Sequence, residues 1–296
     1  MPAAQDNPIE IGTGDRLFAA LQHLLPKQLL SQLIYHVMRI EQPAIKRLLI
    51  RFFLRGYAVQ MNEAAQPDPY AYLTFNAFFT RALSNEARLI DIDPAAVISP
   101  VDGTVSQCGS IDGDAIIQAK GHSYSLEELL GGAARSARYQ GGTFACVYLA
   151  PHNYHRIHMP LTGSLRETLY IPGAFFSVNA ATARAVPSLF ARNERVVCDF
   201  DTEIGGMAVV LVGALFVGSI ETVWAGEINP PARRGGKPVV VVEGRGAKLE
   251  KAAELGRFNM GSTVVLVFEP GKVEWSDRLT ALARVRLGER IGTLKD

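Results

Sequence analysis

Apolar positions change their spacing part-way along this chain. Between Arg16 and Gly56, leucine, isoleucine and phenylalanine recur every three or four residues, the period of an amphipathic helix. Pro26 and Pro43 stand where helices can begin, because a leading residue needs no free backbone donor. The spacing predicts helices at about 15–25, 27–40 and 44–55. On the last, Arg47, Arg51 and Arg55 are four apart and share a face, and Ile45, Leu49, Phe52 and Phe53 are assigned to the opposite one. A basic stripe opposite an apolar one suits an anionic membrane surface. It equally suits a helix packed on a core with its basic side in water.

Beyond Gln66 the texture is different. Pro67–Tyr72 reads as a turn-rich link and Leu73–Leu83 as a helix. From Val97 onward short β-branched and aromatic runs dominate, bounded by Gly, Pro or Asp. Thr143–Leu149, Met207–Val212, Val239–Val242 and Thr263–Phe268 are the clearest predicted strands. Ser125–Leu130 and Val178–Leu189 carry the remaining helical signals, and Gly131–Gly142 and Asn229–Lys237 read as surface loops. The longest uncharged stretch, Ile204–Ile220, is broken by Gly205, Gly206, Gly213 and Gly218. It reads as two buried strands and a turn, not as the run of about 20 apolar residues that a spanning helix needs. Strands do not alternate with long helices, so the expected class is α+β, with a mostly antiparallel, strand-rich part behind a short helical region.

Composition adjusts this picture in a few places. The 296 residues are 48% hydrophobic and 20% charged, a folded chain able to bury one large core or two modest ones. The formal net charge of +1 gives no global argument for nucleic acid. Positive charge is instead concentrated in the first helical region, where Arg16, Lys27, Arg39, Lys46, Arg47, Arg51 and Arg55 face only Asp15 and Glu41. Cys108, Cys146 and Cys198 are odd in number and widely spaced, which speaks against a disulfide framework or zinc knuckle and for a reducing compartment. Met1–Asp15 has acidic residues and no Lys or Arg, unlike the basic start of a secretory signal.

Four places hold candidate chemistry. Ser99-Pro100-Val101-Asp102-Gly103-Thr104-Val105 carries an Asp-Gly turn signal ahead of a strand. His152, His155 and His158 fall within seven positions. Metal binding, acid–base chemistry and plain structural hydrogen bonding are all open to them, the last being the expectation for His152. Neither H-E-x-x-H nor an accompanying Cys or carboxylate cluster supports zinc. Gly205–Gly226, ending in Glu221-Thr222-Val223-Trp224-Ala225-Gly226, reads as buried strands at a close backbone approach. Phe258-Asn259-Met260-Gly261-Ser262-Thr263 puts a Gly-Ser pair at the mouth of a buried strand. Glycine leaves its carbonyl unshielded, and a following serine can attack that carbonyl if a base takes its proton. The nearest approach to G-x-S-x-G, Gly121-His122-Ser123-Tyr124-Ser125, ends in the wrong residue for a hydrolase elbow.

Taken together, these strings resemble the phosphatidylserine decarboxylase family. The resemblance rests on Phe75-Asn76-Ala77-Phe78-Phe79, Ser99 to Gly103, Gln118-Ala119-Lys120-Gly121-His122, Tyr154 to Pro160, and Tyr170-Ile171-Pro172-Gly173. It continues through Phe176-Ser177-Val178-Asn179, Leu189 to Arg195, Gly218 to Gly226 and Gly261-Ser262-Thr263, in order, from about residue 15 to the end. One departure is Met260, where the family usually has leucine; the two are close in volume and polarity, so the swap should be tolerated.

The resemblance implies a proenzyme in which Ser262 attacks the Gly261 carbonyl. The chain would part into residues 1–261 and 262–296, leaving a pyruvoyl group in place of Ser262. It implies a triad of Asp102, His158 and Ser262 for that step, with His158 as base and Asp102 orienting it. The pyruvoyl would form a Schiff base with phosphatidylserine and act as electron sink, yielding phosphatidylethanolamine without a metal. His155 is implied in decarboxylation, as proton donor or as holder of the head group. The implied organisation is a flexible terminus at 1–14, a membrane-contacting helical region at 15–60 and a catalytic domain at 61–296. A homodimer of processed protomers, bound peripherally to the anionic cytoplasmic face of a bacterial membrane, is also implied. Three alternatives stay open: a pyruvoyl enzyme acting on a soluble amino acid, an unprocessed lipid-binding relative, and a metal-dependent hydrolase using the histidine cluster.

Overall fold

The computed structural model describes residues 12–14, 20–22, 25–119, 122–215, 219–228 and 236–295, with the side chains of residues 119 and 262 excluded. Long apolar runs became the centre of the molecule, a nine-stranded sheet. Its main path runs Val239–Val241, Gly163–Ile171, Arg195–Thr202, Gly205–Val212, Ser262–Phe268, Thr143–Leu149, Gly103–Ser110 and Arg284–Val285, and Lys248–Leu249 pairs beside Gly163–Ile171. Neighbouring strands in it are antiparallel. Val264, Leu266 and Phe268 enter one apolar cluster with Val147, Val209 and Leu211. Val265 and Val267 enter another with Cys146, Val210 and Val212. Both faces are therefore covered, and the middle strands read as continuous apolar runs rather than as alternating ones. Burial pushes the Cys146 and Cys198 thiols up, and all three cysteines are free.

A four-stranded sheet lies alongside, in the order Gly226–Glu227, Ser219–Thr222, Glu254–Asn259 and Arg156–His158. The expected pair of strands within 204–220 is present as Gly205–Val212 and Ser219–Thr222, one in each sheet. Their shared stretch includes residues 216–218, which with Gly218 lies outside the described residues, as do Lys120, Gly121 and most of the predicted 229–237 loop.

The first predicted helix, 15–25, falls largely outside the described residues, although 20–22 are helical. Helix α1 spans Lys27–Val37 and α2 spans Pro43–Gly56, with Pro43 in its first turn and the Gln42 side chain accepting from the Ile45 N–H at 2.8 Å. The predicted helix 73–83 is shorter than expected. Helix α3 covers only Phe75–Phe79, capped by Thr74, because Phe75, Phe78 and Phe79 all turn into one small core. Val178–Leu189 is split into Ala180–Ala185 and Leu189–Arg192, with Pro187, which lacks a donor, between them.

The assignment of faces on α2 needs correction. Ile50 and Phe53 point inward, with Phe53 ring centroids 5.3, 6.0 and 5.9 Å from Phe75, Phe78 and Phe79. Phe52 does not join them and is 78% exposed, as Leu48 is 65%. At 100° per residue, Phe52 stacks over Leu48 and cannot share a narrow packing stripe with both Ile50 and Phe53. The outer surface of α2 is thus itself mixed, with Leu48 and Phe52 among Arg47, Arg51 and Arg55.

Candidate active site

The two sheets meet at the Gly-Ser pair. Strand Glu254–Asn259 belongs to the smaller sheet and Ser262–Phe268 to the larger, so Met260 and Gly261 form the corner between them. Both corner residues have positive φ, 90° at Met260 and 68° at Gly261. Glycine accepts that conformation freely; methionine does so only under strain, held by its surroundings. Met260 packs against the Phe75, Phe78 and Phe79 cluster, which supplies the hold. A Cβ built on Gly261 would meet nothing within 4 Å, so the side-chain side of this half-buried residue is open. The Ser262 side chain lies outside the described residues, but its backbone pairs with Leu149. Next to it, the buried Thr263 hydroxyl has no partner among the described residues.

The histidine strand runs beside the strand that leads to this corner, with His155 nearer the corner and His158 opposite Glu254 at the far end. Strand Arg156–His158 pairs with Glu254–Asn259, and the Phe258 N–H donates to the His155 carbonyl at 3.0 Å. His158 Nδ1 lies 2.7 Å from the Ala252 carbonyl and Nε2 lies 2.9 Å from the Tyr154 hydroxyl. A carbonyl can only accept, so Nδ1 carries the proton and Nε2 holds the lone pair. Burial lowers the His158 pKa, opposed chiefly by its bond to Ala252. The ring is thus a neutral base with its basic nitrogen on the Tyr154 side.

Asp102 is 7% exposed and follows Pro100 and Val101 into the strand Gly103–Ser110. Gly103 is required there, since a Cβ would stand 2.5 Å from the Tyr148 carbonyl oxygen. The Asp102 carboxylate accepts from Arg88 Nε at 3.0 Å, from Arg88 Nη2 and from the Leu287 N–H at 2.9 Å. It makes no hydrogen bond to His158; the Ala252 carbonyl occupies Nδ1 instead. Its charge still favours protonation of His158, though as a minor influence.

His155 is fully buried, stacked on Phe79 with centroids 4.1 Å apart. Burial and the nearby Arg81 charge pull its pKa down to about 3, so the ring is neutral. Its Nε2 lies 3.3 Å from the Pro151 carbonyl, and its Nδ1 is a buried atom with no partner. His152 departs from expectation. It is exposed, and its carbonyl, not its ring, accepts a hydrogen bond from Arg81. Its place at the rim of a loop leaves the ring in solvent. Among the described residues no group of three His, Cys, Asp or Glu side chains is placed to hold a metal ion.

A family model described as phosphatidylserine decarboxylase matches residues 75–293, well over half of the chain. The chain belongs to the phosphatidylserine decarboxylase family. A second family model, described as PSD, matches residues 17–58. The phosphatidylserine decarboxylase proenzyme of Azotobacter vinelandii is 52% identical over 287 residues, covering 94% of this chain and 98% of the relative. That of Pseudomonas aeruginosa is 55% identical over 278 residues, covering 93% and 96%. That of Bordetella pertussis is 51% identical over 279 residues, covering 94% of each. Members of this family are carboxy-lyases, and the chain is a decarboxylase.

In this decarboxylase a cavity of about 250 Å³ opens beside the loop that precedes the histidine strand, bordered by Tyr154, His152, Arg81 and, of the candidate residues, Asp102. A larger one, about 640 Å³, lies around Ile90, Arg278 and Arg290 and includes none of the four candidate residues. Sequence reasoning missed several contributors. Tyr154 lay inside a matching string but was given no role. Ala252 acts through its carbonyl, which no side-chain pattern reveals. Arg88 lay outside the strings and is found only through its bonds to Asp102 and, at 2.7 Å, to Glu63. Asn76 and Asn259 were inside strings; Asn76 Nδ2 donates to Asn259 Oδ1 at 2.9 Å, and Asn259 Nδ2 donates to Ser219 Oγ at 2.8 Å.

Proposed function

We propose that this phosphatidylserine decarboxylase is made as a proenzyme that cuts itself between Gly261 and Ser262 and then works as a pyruvoyl enzyme on phosphatidylserine at an anionic membrane surface. The observation that carries the reading is the corner itself: Met260 and Gly261, both at positive φ, lead into Ser262, and the strand that reaches them pairs with the strand bearing His158, which stands opposite Glu254.

In the first step Ser262 Oγ bonds to the Gly261 carbonyl carbon and its proton passes to His158 Nε2. The Ala252 carbonyl holds the ring by Nδ1–H, and Tyr154 must release Nε2 for the transfer. The Asp102 carboxylate stabilises the imidazolium through space, a looser version of a triad. The C–N bond then breaks as nitrogen takes the proton, leaving an ester. Loss of the Ser262 Cα proton expels the Gly261 carboxylate and leaves dehydroalanine. Water then replaces its nitrogen, which departs as ammonia, and a pyruvoyl group remains.

The open side of Gly261 and the Thr263 hydroxyl, unpaired among the described residues, fit such a group at position 262. Once formed, it supplies an electrophilic carbonyl and an electron sink. His155, neutral and buried, is the candidate to hold the head group there through a nitrogen rather than to deliver a proton as imidazolium.

Membrane contact is supported by the outer surfaces of α1 and α2. Leu29 and Leu33 on α1 are exposed, Leu48 and Phe52 on α2 are exposed among Arg47, Arg51 and Arg55, and no described helix is long and apolar enough to cross a bilayer. On this reading 15–60 is the lipid-facing region, 61–296 the catalytic domain, and the protein a peripheral homodimer on the cytoplasmic face.

Intact mass of freshly purified protein tests the core of the proposal, with Ser262→Ala alongside. Two chains split at Gly261–Ser262, the smaller beginning with a pyruvoyl group, and an uncut variant are expected. A wild-type chain that stays whole under native conditions would overturn it.

A further inference from the structure

Among the described residues, Arg81 carries a charge with no counter-ion paired to it. It follows the three buried phenylalanines of α3 and is itself 4% exposed. Nη2 donates to the carbonyls of His152 at 3.2 Å and Asn153 at 3.4 Å. Nε and Nη1 are buried and meet no acceptor. The carboxylates whose charges reach it, Glu63 and Asp102, are already paired with Arg88, and Glu63 also with Arg286. Burying a guanidinium without a partner is costly, and burial here lowers its pKa accordingly. A fold keeps such a group when something from outside completes it.

The surroundings say what kind of group. Arg81 borders the 250 Å³ cavity together with Arg88, Arg284 and Arg286, against two carboxylates, Glu63 and Asp102. The wall is net positive and suits an anion. The same cavity is bordered by Tyr154, whose hydroxyl meets His158, and by Ala150, which follows the Leu149 that pairs with Ser262. An anion held at Arg81 is therefore held beside the reacting end of the sheet.

We propose that Arg81 binds the phosphodiester of the lipid head group, an inference that rests on the phosphatidylserine reading above. The serine carboxylate is the poorer candidate on chemical grounds. Its charge must disperse as carbon dioxide leaves, so a guanidinium fixed on it would stabilise the ground state and raise the barrier. The phosphodiester has the same charge before and after reaction. Holding it anchors the substrate without opposing the chemistry.

The test uses full-length processed protein and phosphatidylserine in detergent micelles. Wild type must first cut itself and decarboxylate the lipid; failure there sinks the underlying reading and not the role of Arg81. Arg81→Gln and Arg81→Lys are then compared, with self-cleavage checked by mass and folding by thermal melt. KM is expected to rise about tenfold or more in Arg81→Gln and less in Arg81→Lys, with kcat moving little. Glycerophosphoethanolamine, which has the phosphodiester and no carboxylate, should compete with substrate in wild type and compete correspondingly less in the variants. Unchanged competition by it overturns the proposal, and so does a selective loss of competition by free serine, which would assign Arg81 to the carboxylate. If Arg81→Gln does not fold, Arg81→Lys decides by the same comparison, since it keeps the buried charge but loses the guanidinium's extra donors.

Discussion

Burial against Phe79 and the charge of Arg81 hold His155 near pKa 3, and this has a thermodynamic consequence. An unfolded histidine titrates near 6.5. Between about pH 6.5 and 3 the unfolded chain takes up a proton that the folded chain refuses, so the stability is intact above 6.5 and is lost as pH falls through that window. The slope from this one group reaches about 1.4 kcal/mol per pH unit. Denaturant titrations at pH 7 and pH 5 should show a marked loss that shrinks in His155→Phe, a ring of similar shape that cannot charge; equal losses would refute the assignment. His158 is also shifted down, which keeps its basic nitrogen free to lower pH than usual. The self-cleavage rate should therefore fall with acid through a midpoint below pH 6.5, and a midpoint above 6.5 in single-turnover cleavage would contradict His158 as base. At this scale the residue types were readable in advance: an aspartate at a turn, clustered histidines, and a serine before a strand. Their partners were not, because Ala252 contributes a carbonyl and Arg88 reaches Asp102 from outside every recognisable string.

Helix α2 shows how one element can serve two environments. Ile50 and Phe53 face the aromatic cluster, while Leu48 and Phe52 stand in solvent between arginines. Phe53→Ala should cost roughly 3 kcal/mol, as removal of a ring from a core does. Phe52→Ser should change stability by only about 0.5 kcal/mol or less, yet weaken binding to phosphatidylglycerol vesicles in a sedimentation assay. Replacing Arg47, Arg51 and Arg55 by Gln should weaken the same binding by about 1 kcal/mol per arginine, and less at high salt. Unaltered vesicle binding in both variants would leave the outer face of α2 without a role at the membrane. The helix itself was legible from period and from Pro43, and so were the long strands, Thr143–Leu149 matching residue for residue. The split of its apolar residues was not. A 100° step places Phe52 and Phe53 on different sides, and only the position of the Phe75–Phe79 cluster decides which of them is buried.

Across the whole molecule the helical region is wired to the Met260–Gly261 corner. Arg39, just past α1, pairs with Glu227 and donates to Ser219 Oγ at 3.3 Å. Ser219 also accepts from Asn259, which in turn accepts from Asn76, and the Asn76 N–H donates to the Met38 carbonyl at 2.8 Å. Asn259 is the residue before Met260, so this loop of hydrogen bonds starts and ends next to α1 and passes through the strand that feeds the strained corner. The Phe75, Phe78 and Phe79 cluster grips Met260 from the same side. Two adjacent contacts thus make the conformation of the Gly261–Ser262 peptide depend on docking of the helices, a dependence invisible to any local pattern because its bonded partners lie up to 188 residues apart. Asn76→Ala separates this from simple stability. It leaves the buried Asn259 carbonyl oxygen without its donor, a penalty of about 1–3 kcal/mol, and loosens the corner without touching His158 or Asp102. The variant should fold, melt a few degrees lower and cut itself several-fold more slowly, and once cut it should carry the same pyruvoyl mass as wild type. Time-resolved mass spectrometry after rapid purification reads all three, and cleavage at the wild-type rate in a destabilised Asn76→Ala would show that the corner holds its shape without help from the helices.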